Sequence, residues 1–184
     1  MSDLILVHGA CHGAWCWDLV LPELAALGLT ARAVDLPGRG ADRTPPDCIT
    51  LDHHADAILA ALDRPAILVG HSAGGYAIAA AALKRPDLVA RLIYLTAWIP
   101  VPGKSLADLR RAARPEALTR ALHLAPDRLT YSFTPESYTE TFAQDGPPDV
   151  VAQAVTRLCP EPTAPHETPL PSLARCPDLR AVLR

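Results

Sequence analysis

Apolar runs alternate with amphipathic stretches through the first half of this chain. Four apolar runs predict buried strands at residues 4–7, 30–36, 66–69 and 91–96. Apolar residues at helical spacing between them predict helices over residues 21–27, 51–62 and 74–84. Strands that alternate with helices in this way predict an α/β fold built on a parallel sheet.

Local signals support two of the helix boundaries. Thr50 is a favourable N-cap for the second helix, and Gly28 is a plausible C-terminal residue for the first. Within the second helix, His53 and His54 are adjacent polar residues, and we expect both to lie on a solvated face.

The pattern changes after Pro100, because most of the 19 prolines of the chain lie beyond that point. Short helical stretches at residues 106–111, 115–122, 135–142 and 148–158 are separated by prolines, and no clear strand is visible. This pattern is typical of a helical cap inserted over one end of a sheet. We therefore predict a core over residues 1–97, a helical cap over 98–165 and an irregular tail over 166–184.

Composition narrows the functional classes. The chain has 184 residues, 49% of them hydrophobic and 20% charged, which indicates one globular domain with a substantial core. Its net charge of -3 gives no reason to expect nucleic acid or an anionic membrane as a partner. No apolar run approaches the roughly 20 residues of a membrane span, and no secretory signal is visible.

Cysteine usage indicates a reducing compartment. The five cysteines are odd in number, and their spacing fits neither a zinc site nor a redox pair. We expect free thiols and a cytoplasmic location. The cysteines are Cys11, Cys16, Cys48, Cys159 and Cys176.

A nucleophile motif lies between the third predicted strand and the third predicted helix. The residues Gly70-His71-Ser72-Ala73-Gly74 form a G-x-S-x-G pattern, which in this context predicts a nucleophile elbow. The expected nucleophile is Ser72, and the expected chemistry is acyl transfer. At the N-terminus of the helix, the N–H of Ala73 is placed to stabilise an oxyanion. The loop His8-Gly9-Ala10 is expected to supply the second donor, the Ala10 N–H.

Three stretches carry a family resemblance: His8 to Trp17 (HGACHGAWCW), Asp35 to Gly40 (DLPGRG) and Gly70 to Gly75 (GHSAGG). With them the chain resembles the α/β-hydrolase fold. More narrowly, it resembles the group of plant methylesterases, salicylate-binding esterases, hydroxynitrile lyases and bacterial EstC-like esterases. The resemblance implies a serine esterase acting on a small-molecule ester without a cofactor, with Ser72 as nucleophile and Ala10 and Ala73 as oxyanion-hole donors. Members of this group often dimerise, so a homodimer is one expectation.

The resemblance also implies a catalytic Asp and His on strands that follow the cap, and neither is present where it is expected. The C-terminal strands of the core are therefore expected to be missing, with residues 176–184 as a remnant of the next strand. Two interpretations stay open: a serine esterase, or a truncated, catalytically deficient homologue that binds a small ligand. Downstream of Ser72, only His123 and His166 could replace the base.

Without later strands, the strand at 91–96 would be an apolar edge prone to association, unless residues 173–183 cover it.

Other residues are candidates for the substrate pocket. The resemblance implies that His12, like His8 and His71, is structural or lines the substrate site. Trp98 and Phe133 are candidates for an apolar pocket or for the core of the cap, with Tyr131 and Phe142 beside them. Asp35 is expected to brace the turn that follows it.

One position separates the reactions within this group. Its hydroxynitrile lyases carry Thr where this chain has Gly9, which favours ester hydrolysis over cyanide elimination. His8 and His12 have i, i+4 spacing but no predicted helix between them, so no metal site is expected.

Overall fold

A parallel sheet forms the centre of the molecule. The computed structural model describes residues 3–40 and 42–173 and the strand at 180–183. Within these residues the sheet has five strands in the order β2-β1-β3-β4-β8, and every neighbouring pair is parallel. The strands are β1 (Leu4–Val7), β2 (Ala31–Val34), β3 (Ala66–His71), β4 (Val89–Leu95) and β8 (Arg180–Leu183).

The last strand corrects the expectation of an exposed edge. Strand β8 pairs with β4 in parallel, from Arg91 opposite Arg180 to Tyr94 opposite Leu183. The tail therefore covers this edge, which is the alternative that the sequence left open. Association of two chains through an exposed β4 edge is no longer expected. The expectation that residues 176–184 contain a remnant of the next core strand is confirmed at 180–183. Cys176 lies outside the described residues.

Helices cover both faces of the sheet. Ile5 and Leu68 face the larger cluster, which includes the alanine-rich α3, whereas Leu6 and Val69 face the smaller one around Trp17. Alternation of side chains along each strand produces these two cores. The helices of this part are α1 (Val20–Ala26), α2 (Leu51–Ala60) and α3 (Gly74–Lys84), with short 3-10 turns at Ala14–Trp17, Pro46–Cys48 and Pro86–Leu88.

The region after β4 contains the predicted helices and, against prediction, a small sheet. In the described residues β5, β6 and β7 form an antiparallel sheet that pairs Tyr131 with both Leu124 and Glu161. Strands of two or three residues have no visible period, and their partners are distant in sequence, so local patterns do not reveal them. The elements are α4 (Leu106–Ala113), α5 (Glu116–Ala121), β5 (His123–Leu124), β6 (Thr130–Ser132), α6 (Pro135–Phe142), α7 (Pro148–Arg157), β7 (Glu161–Pro162) and α8 (Ala164–Glu167).

Helix α2 shows why one surface prediction is wrong. Thr50 caps it as expected, since its side chain accepts a hydrogen bond from the His53 N–H at 3.2 Å. His53 is exposed, but His54 is only 3% exposed because it shares a helix face with Leu51 and Ile58. The spacing of His54 from these apolar residues, and not the polarity of its own side chain, decides that it is buried.

No helix in the described part of the chain combines the length and apolarity needed to cross a bilayer. The boundaries of core and cap at residues 97 and 165 stay predictions.

We expect His54→Leu to stabilise the protein and to weaken its acid sensitivity. Burial lowers the pKa of His54 to about 3, and its Nε2 has no hydrogen-bond partner among the described residues. The unfolded chain therefore binds more protons than the folded one between pH 6.5 and 3, so this contribution to stability is lost as the pH falls through that range. Removing the buried imidazole should raise the free energy of unfolding by about 1 kcal/mol at pH 7.

Urea unfolding at pH values from 7 to 4 measures both effects. His123→Leu, at an exposed position, is the control and should leave the pH dependence unchanged. An acid sensitivity of His54→Leu equal to that of the wild type would contradict the assignment.

Candidate active site

Ser72 occupies a strained turn between β3 and α3. Its φ of 51° lies in the left-handed region, which non-glycine residues rarely adopt. Three backbone hydrogen bonds hold the turn: Ser72 N–H donates to Leu95 O at 3.3 Å, and the N–H groups of Gly75 and Trp98 donate to Ser72 O at 3.2 and 3.1 Å. The strand, turn and helix that the motif predicts are therefore present, with the serine at the turn.

Glycine is required at two positions around this turn. A Cβ placed on Gly70 would lie 2.7 Å from the Gly74 carbonyl oxygen, and one on Gly74 would lie 2.7 Å from the carbonyl oxygen of His8. Both distances are shorter than a real Cβ tolerates. The two glycines thus let α3 start close to β3 and against the end of β1.

The loop after β1 lies directly against the serine. A Cβ placed on Gly9 would lie 3.0 Å from the Ser72 Cβ. Within the described chain, neither the Ala10 N–H nor the Ala73 N–H donates a hydrogen bond to a protein acceptor. Two backbone donors of this kind beside a serine form the set that an oxyanion hole needs.

Two neutral histidines orient the carbonyl groups of this loop. His8 Nδ1 donates to Gly9 O at 2.8 Å, while its Nε2 accepts from the Leu36 N–H at 3.2 Å. His12 Nδ1 donates to Ala10 O at 2.8 Å, and its Nε2 accepts from the Tyr138 hydroxyl at 3.4 Å. Burial lowers the pKa of His8 to about 4 and also lowers the pKa of His12. Both rings are thus neutral near pH 7 and fix the loop through specific tautomers.

Asp35 braces the same region, as expected. Its Oδ1 accepts from the Ala14 N–H at 2.7 Å, and its carboxylate also lies against Gly40. It therefore joins the loop after β1 to the turn after β2, and it does not line the cavity at Ser72.

A buried carboxylate that sequence analysis missed anchors the loop to the cap. Glu161 Oε2 accepts from the Cys11 N–H at 2.8 Å and from Arg39 at 2.5 Å, and Oε1 lies 2.9 Å from His166 Nε2. The Arg39 and Glu161 side chains are only 2% and 4% exposed. Burial opposes the charge, but Arg39 and the His166 hydrogen bond outweigh it and hold the pKa of Glu161 well below its usual range.

Neither residue considered as a replacement base is placed to serve Ser72. His166 lines the cavity, but its Nε2 bonds Glu161 and its Nδ1 lies 3.2 Å from the Tyr131 hydroxyl, so both ring nitrogens are engaged. His123 is exposed on β5 and does not line the cavity. No side chain in the described part of the chain hydrogen bonds to the Ser72 hydroxyl.

The serine opens into a cavity of about 370 Å³ beneath the cap. This volume lies at the small end of the range for ligand sites. All six residues predicted for the site line this cavity: Ala10, His12, Ser72, Ala73, Trp98 and Phe133. The described residues contain no group of three or more His, Cys, Asp or Glu side chains that could hold a metal ion.

Aromatic residues of the cap serve the cavity and the cap core together. Phe133 lines the cavity and packs on Phe142, with ring centroids 5.0 Å apart, and on Tyr131 at 6.3 Å. Trp98 likewise lines the cavity and packs against the main core. The two interpretations that the sequence left open for these side chains therefore both apply.

Comparison with known sequences matches residues 4–183 to the family described as "Alpha/beta hydrolase family". The chain belongs to the alpha/beta hydrolase family. This agrees with the sheet, the strained serine turn and the cap described above, and with the resemblance that the motifs indicate.

Curated relatives include plant and bacterial esterases. Methylesterase 2 of Arabidopsis thaliana is 41% identical over 106 residues, which cover 54% of this chain and 40% of that protein. A pyrethroid hydrolase of Sphingobium wenxiniae is 35% identical over 191 aligned positions, covering 95% of this chain and 66% of the relative. This chain thus spans less than half the length of the methylesterase.

Solved structures share the fold. The methylesterase MES16 from Arabidopsis superposes with a TM-score of 0.81 at 25% identity, covering 100% of this chain and 77% of that one. A histidine-to-alanine variant of the pyrethroid hydrolase PytH gives a TM-score of 0.79 at 30% identity, covering 97% and 74%.

We expect Glu161→Gln to destabilise the protein strongly. The substitution leaves the Arg39 guanidinium buried without a counter-charge, and breaking such a pair on one side typically costs about 3–5 kcal/mol. The double variant Arg39→Met with Glu161→Met removes both charges and should lose less stability than the sum of the losses of its two single variants, Arg39→Met and Glu161→Met.

Urea unfolding of the two single variants and the double variant measures this coupling. Arg85→Gln, which breaks an exposed ion pair with Asp87, is the control and should change stability by less than about 1 kcal/mol. Additive losses in the double variant would show that the pair is not coupled.

Proposed function

We propose that this protein is a serine carboxylesterase that cleaves small esters through an acyl-enzyme on Ser72. The carrying observation is the strained Ser72 beside two unpaired backbone N–H groups in a cavity under the cap. The names of the relatives, which are methylesterases and other esterases, support the same chemistry.

In the proposed reaction, Ser72 Oγ attacks the ester carbonyl carbon and the carbonyl oxygen becomes an oxyanion. The N–H groups of Ala10 and Ala73 donate to this oxygen, and the N-terminus of α3 adds its positive dipole end. Loss of one such donor typically lowers kcat by about 10²–10³-fold. Because both donors are backbone groups held by glycines and buried histidines, they need little rearrangement during the reaction.

Turnover also requires a base for the Ser72 proton. A histidine takes that proton, returns it to the leaving alcohol, and then activates the water that cleaves the acyl-enzyme. The resemblance implies an Asp and a His after the cap for this task. Among the described histidines, His8, His12 and His166 have both ring nitrogens engaged in structural hydrogen bonds.

Binding without turnover is the second candidate. The observation that favours it is the Ser72 hydroxyl, to which no described side chain hydrogen bonds. Removing triad members typically leaves only about 10³–10⁴-fold catalysis over water. The cavity and its oxyanion donors would then hold a small ester or acid that is not consumed.

The residue at position 9 favours ester hydrolysis over cyanide elimination, because the resemblance implies Thr there in the hydroxynitrile lyases of the group, whereas this chain has Gly9. A Cβ at this position would lie 3.0 Å from both Ser72 Cβ and His71 Nδ1, so a side chain there would require these neighbours to shift by a few tenths of an ångström.

We expect Ser72→Ala to abolish covalent labelling by a fluorophosphonate probe and hydrolysis of p-nitrophenyl acetate above the spontaneous rate. The reason is that the serine hydroxyl is the atom that forms both covalent adducts. Intact-mass spectrometry locates the label, and absorbance measures the released nitrophenolate.

Ser132→Ala on β6, outside the cavity, is the matched control and should keep both activities. Absence of labelling and hydrolysis in the wild-type chain, with a small ester still bound, would favour binding without turnover. A label on another residue would exclude Ser72 as the nucleophile.

A further inference from the structure

The cavity at Ser72 contains one permanent charge. Among the described residues that line it, Arg110 is the only Arg or Lys, and no Asp or Glu is present. Arg110 lies on α4 one turn beyond Leu106, and both side chains line the cavity. The charge is therefore carried by the cap, opposite the loops that form the oxyanion site.

The Arg110 guanidinium has no counter-charge. Within the described residues it forms no ion pair and no hydrogen bond. It lies over the face of the Tyr131 ring, 5.8 Å from the ring centroid, in a cation–π contact. Its neighbour Arg111, by contrast, binds both Asp108 and Glu167. Since Arg110 is only half-buried, its unpaired guanidinium remains accessible to a ligand that supplies an anion.

The other titratable groups in the cavity do not neutralise this charge. Burial lowers the pKa of His71 to about 4 and also lowers the pKa of His12, so neither ring competes for an anion near pH 7. His166 is committed to Glu161 and Tyr131. An anion that enters the cavity therefore meets Arg110 as its one strong ionic partner.

The surface next to the cavity is also basic. A neighbouring cavity shares Arg110 and is lined by Arg111, Arg114 and Arg120, with Glu116 as its one acidic residue among those described. The chain as a whole carries a net charge of -3, so this region differs in sign from the rest of the protein. A local positive field beside the Ser72 cavity raises the concentration of anionic ligands there.

The geometry points to an anionic substrate: the half-ester of a small dicarboxylic acid, with its free carboxylate on Arg110 and its ester carbonyl at Ser72. This assignment rests on the proposed esterase function and adds the substrate class. Hydrolysis would consume the half-ester and water and release the dicarboxylate, an alcohol and a proton. Guanidinium groups bind carboxylates through two parallel hydrogen bonds, and the aromatic and leucine side chains that also line the cavity suit a methylene linker.

The test compares kcat/KM for charged and neutral methyl esters. Methyl hydrogen succinate, glutarate and adipate are measured against methyl butyrate, pentanoate and hexanoate, using wild-type protein, Arg110→Met, Arg110→Lys and Arg120→Met. In the wild type we expect the best half-ester to exceed its neutral counterpart by at least about tenfold. Arg110→Met should reduce kcat/KM for half-esters by about 10–100-fold, as expected for loss of a charged hydrogen bond, and should therefore remove most of the preference for half-esters over neutral esters.

Two controls separate charge from structure. Arg120 is exposed and lines only the neighbouring cavities, so Arg120→Met should keep the preference. Arg110→Lys keeps the positive charge but lacks the planar guanidinium, so it should retain part of the preference for half-esters. A wild-type protein without preference, or a Met variant that loses neutral and charged esters equally, would overturn the assignment.

A binding measurement separates this inference from the proposed esterase function. N-methylglutaramate, a non-hydrolysable amide with a free carboxylate, and neutral N-methylpentanamide are titrated while the tryptophan fluorescence is recorded. If the charged amide binds more tightly than the neutral one, and Arg110→Met removes this difference, the anion site is supported even if no ester is hydrolysed. Equal affinity of the two amides would refute it even if esters are cleaved.

Discussion

The carboxylate of Glu161 is the contact on which the arrangement of this site depends. It is buried between the cap and the core, and it accepts from the Cys11 N–H, from Arg39 and from His166. Cys11 has a φ of 62° and directly follows Ala10, whose N–H is the proposed oxyanion donor. The carboxylate therefore holds a strained loop position in place, and it ties that position to the turn after β2 and to the cap. The direction of the Ala10 N–H depends on the cap as much as on the sheet.

Such a pair contributes to specificity more than to net stability. Removing two charges from water is costly, and the attraction between them repays the cost only when the remaining hydrogen bonds are made. Here the Glu161 oxygens are satisfied, but the Nε of Arg39 has no partner among the described residues. The buried pair therefore leaves one of its hydrogen-bond donors unused. An alternative placement of the cap would separate Glu161 from Arg39 and from the Cys11 N–H, so we expect the pair to favour the observed arrangement of cap and core.

Sequence patterns predicted the parts of this fold that depend on neighbours in the chain. The strands before the helical cap, the N-cap of α2 at Thr50 and the turn at Ser72 all depend on local spacing or on glycine at defined positions. The features that sequence patterns did not predict depend on partners that are distant in the chain. His54 is buried because of what packs on α2, and β7 is a strand because Tyr131 on β6 lies beside it. Glu161 belongs to the same class, since its partner Cys11 is 150 residues away.

The two halves of the cavity differ in the physical character of what they offer a ligand. The core contributes backbone N–H groups, glycines and histidines that burial keeps neutral, so its half is preorganised and uncharged. The cap contributes aromatic rings, leucines and one unpaired guanidinium. Bond cleavage needs fixed donors at the oxyanion, whereas recognition needs contacts that vary with the ligand. The two sets of groups lie on different elements, which are joined by Glu161, by the His12–Tyr138 hydrogen bond and by the Arg157–Asp18 ion pair. The cap can therefore change its ligand contacts while the core keeps its geometry, provided that these links are retained.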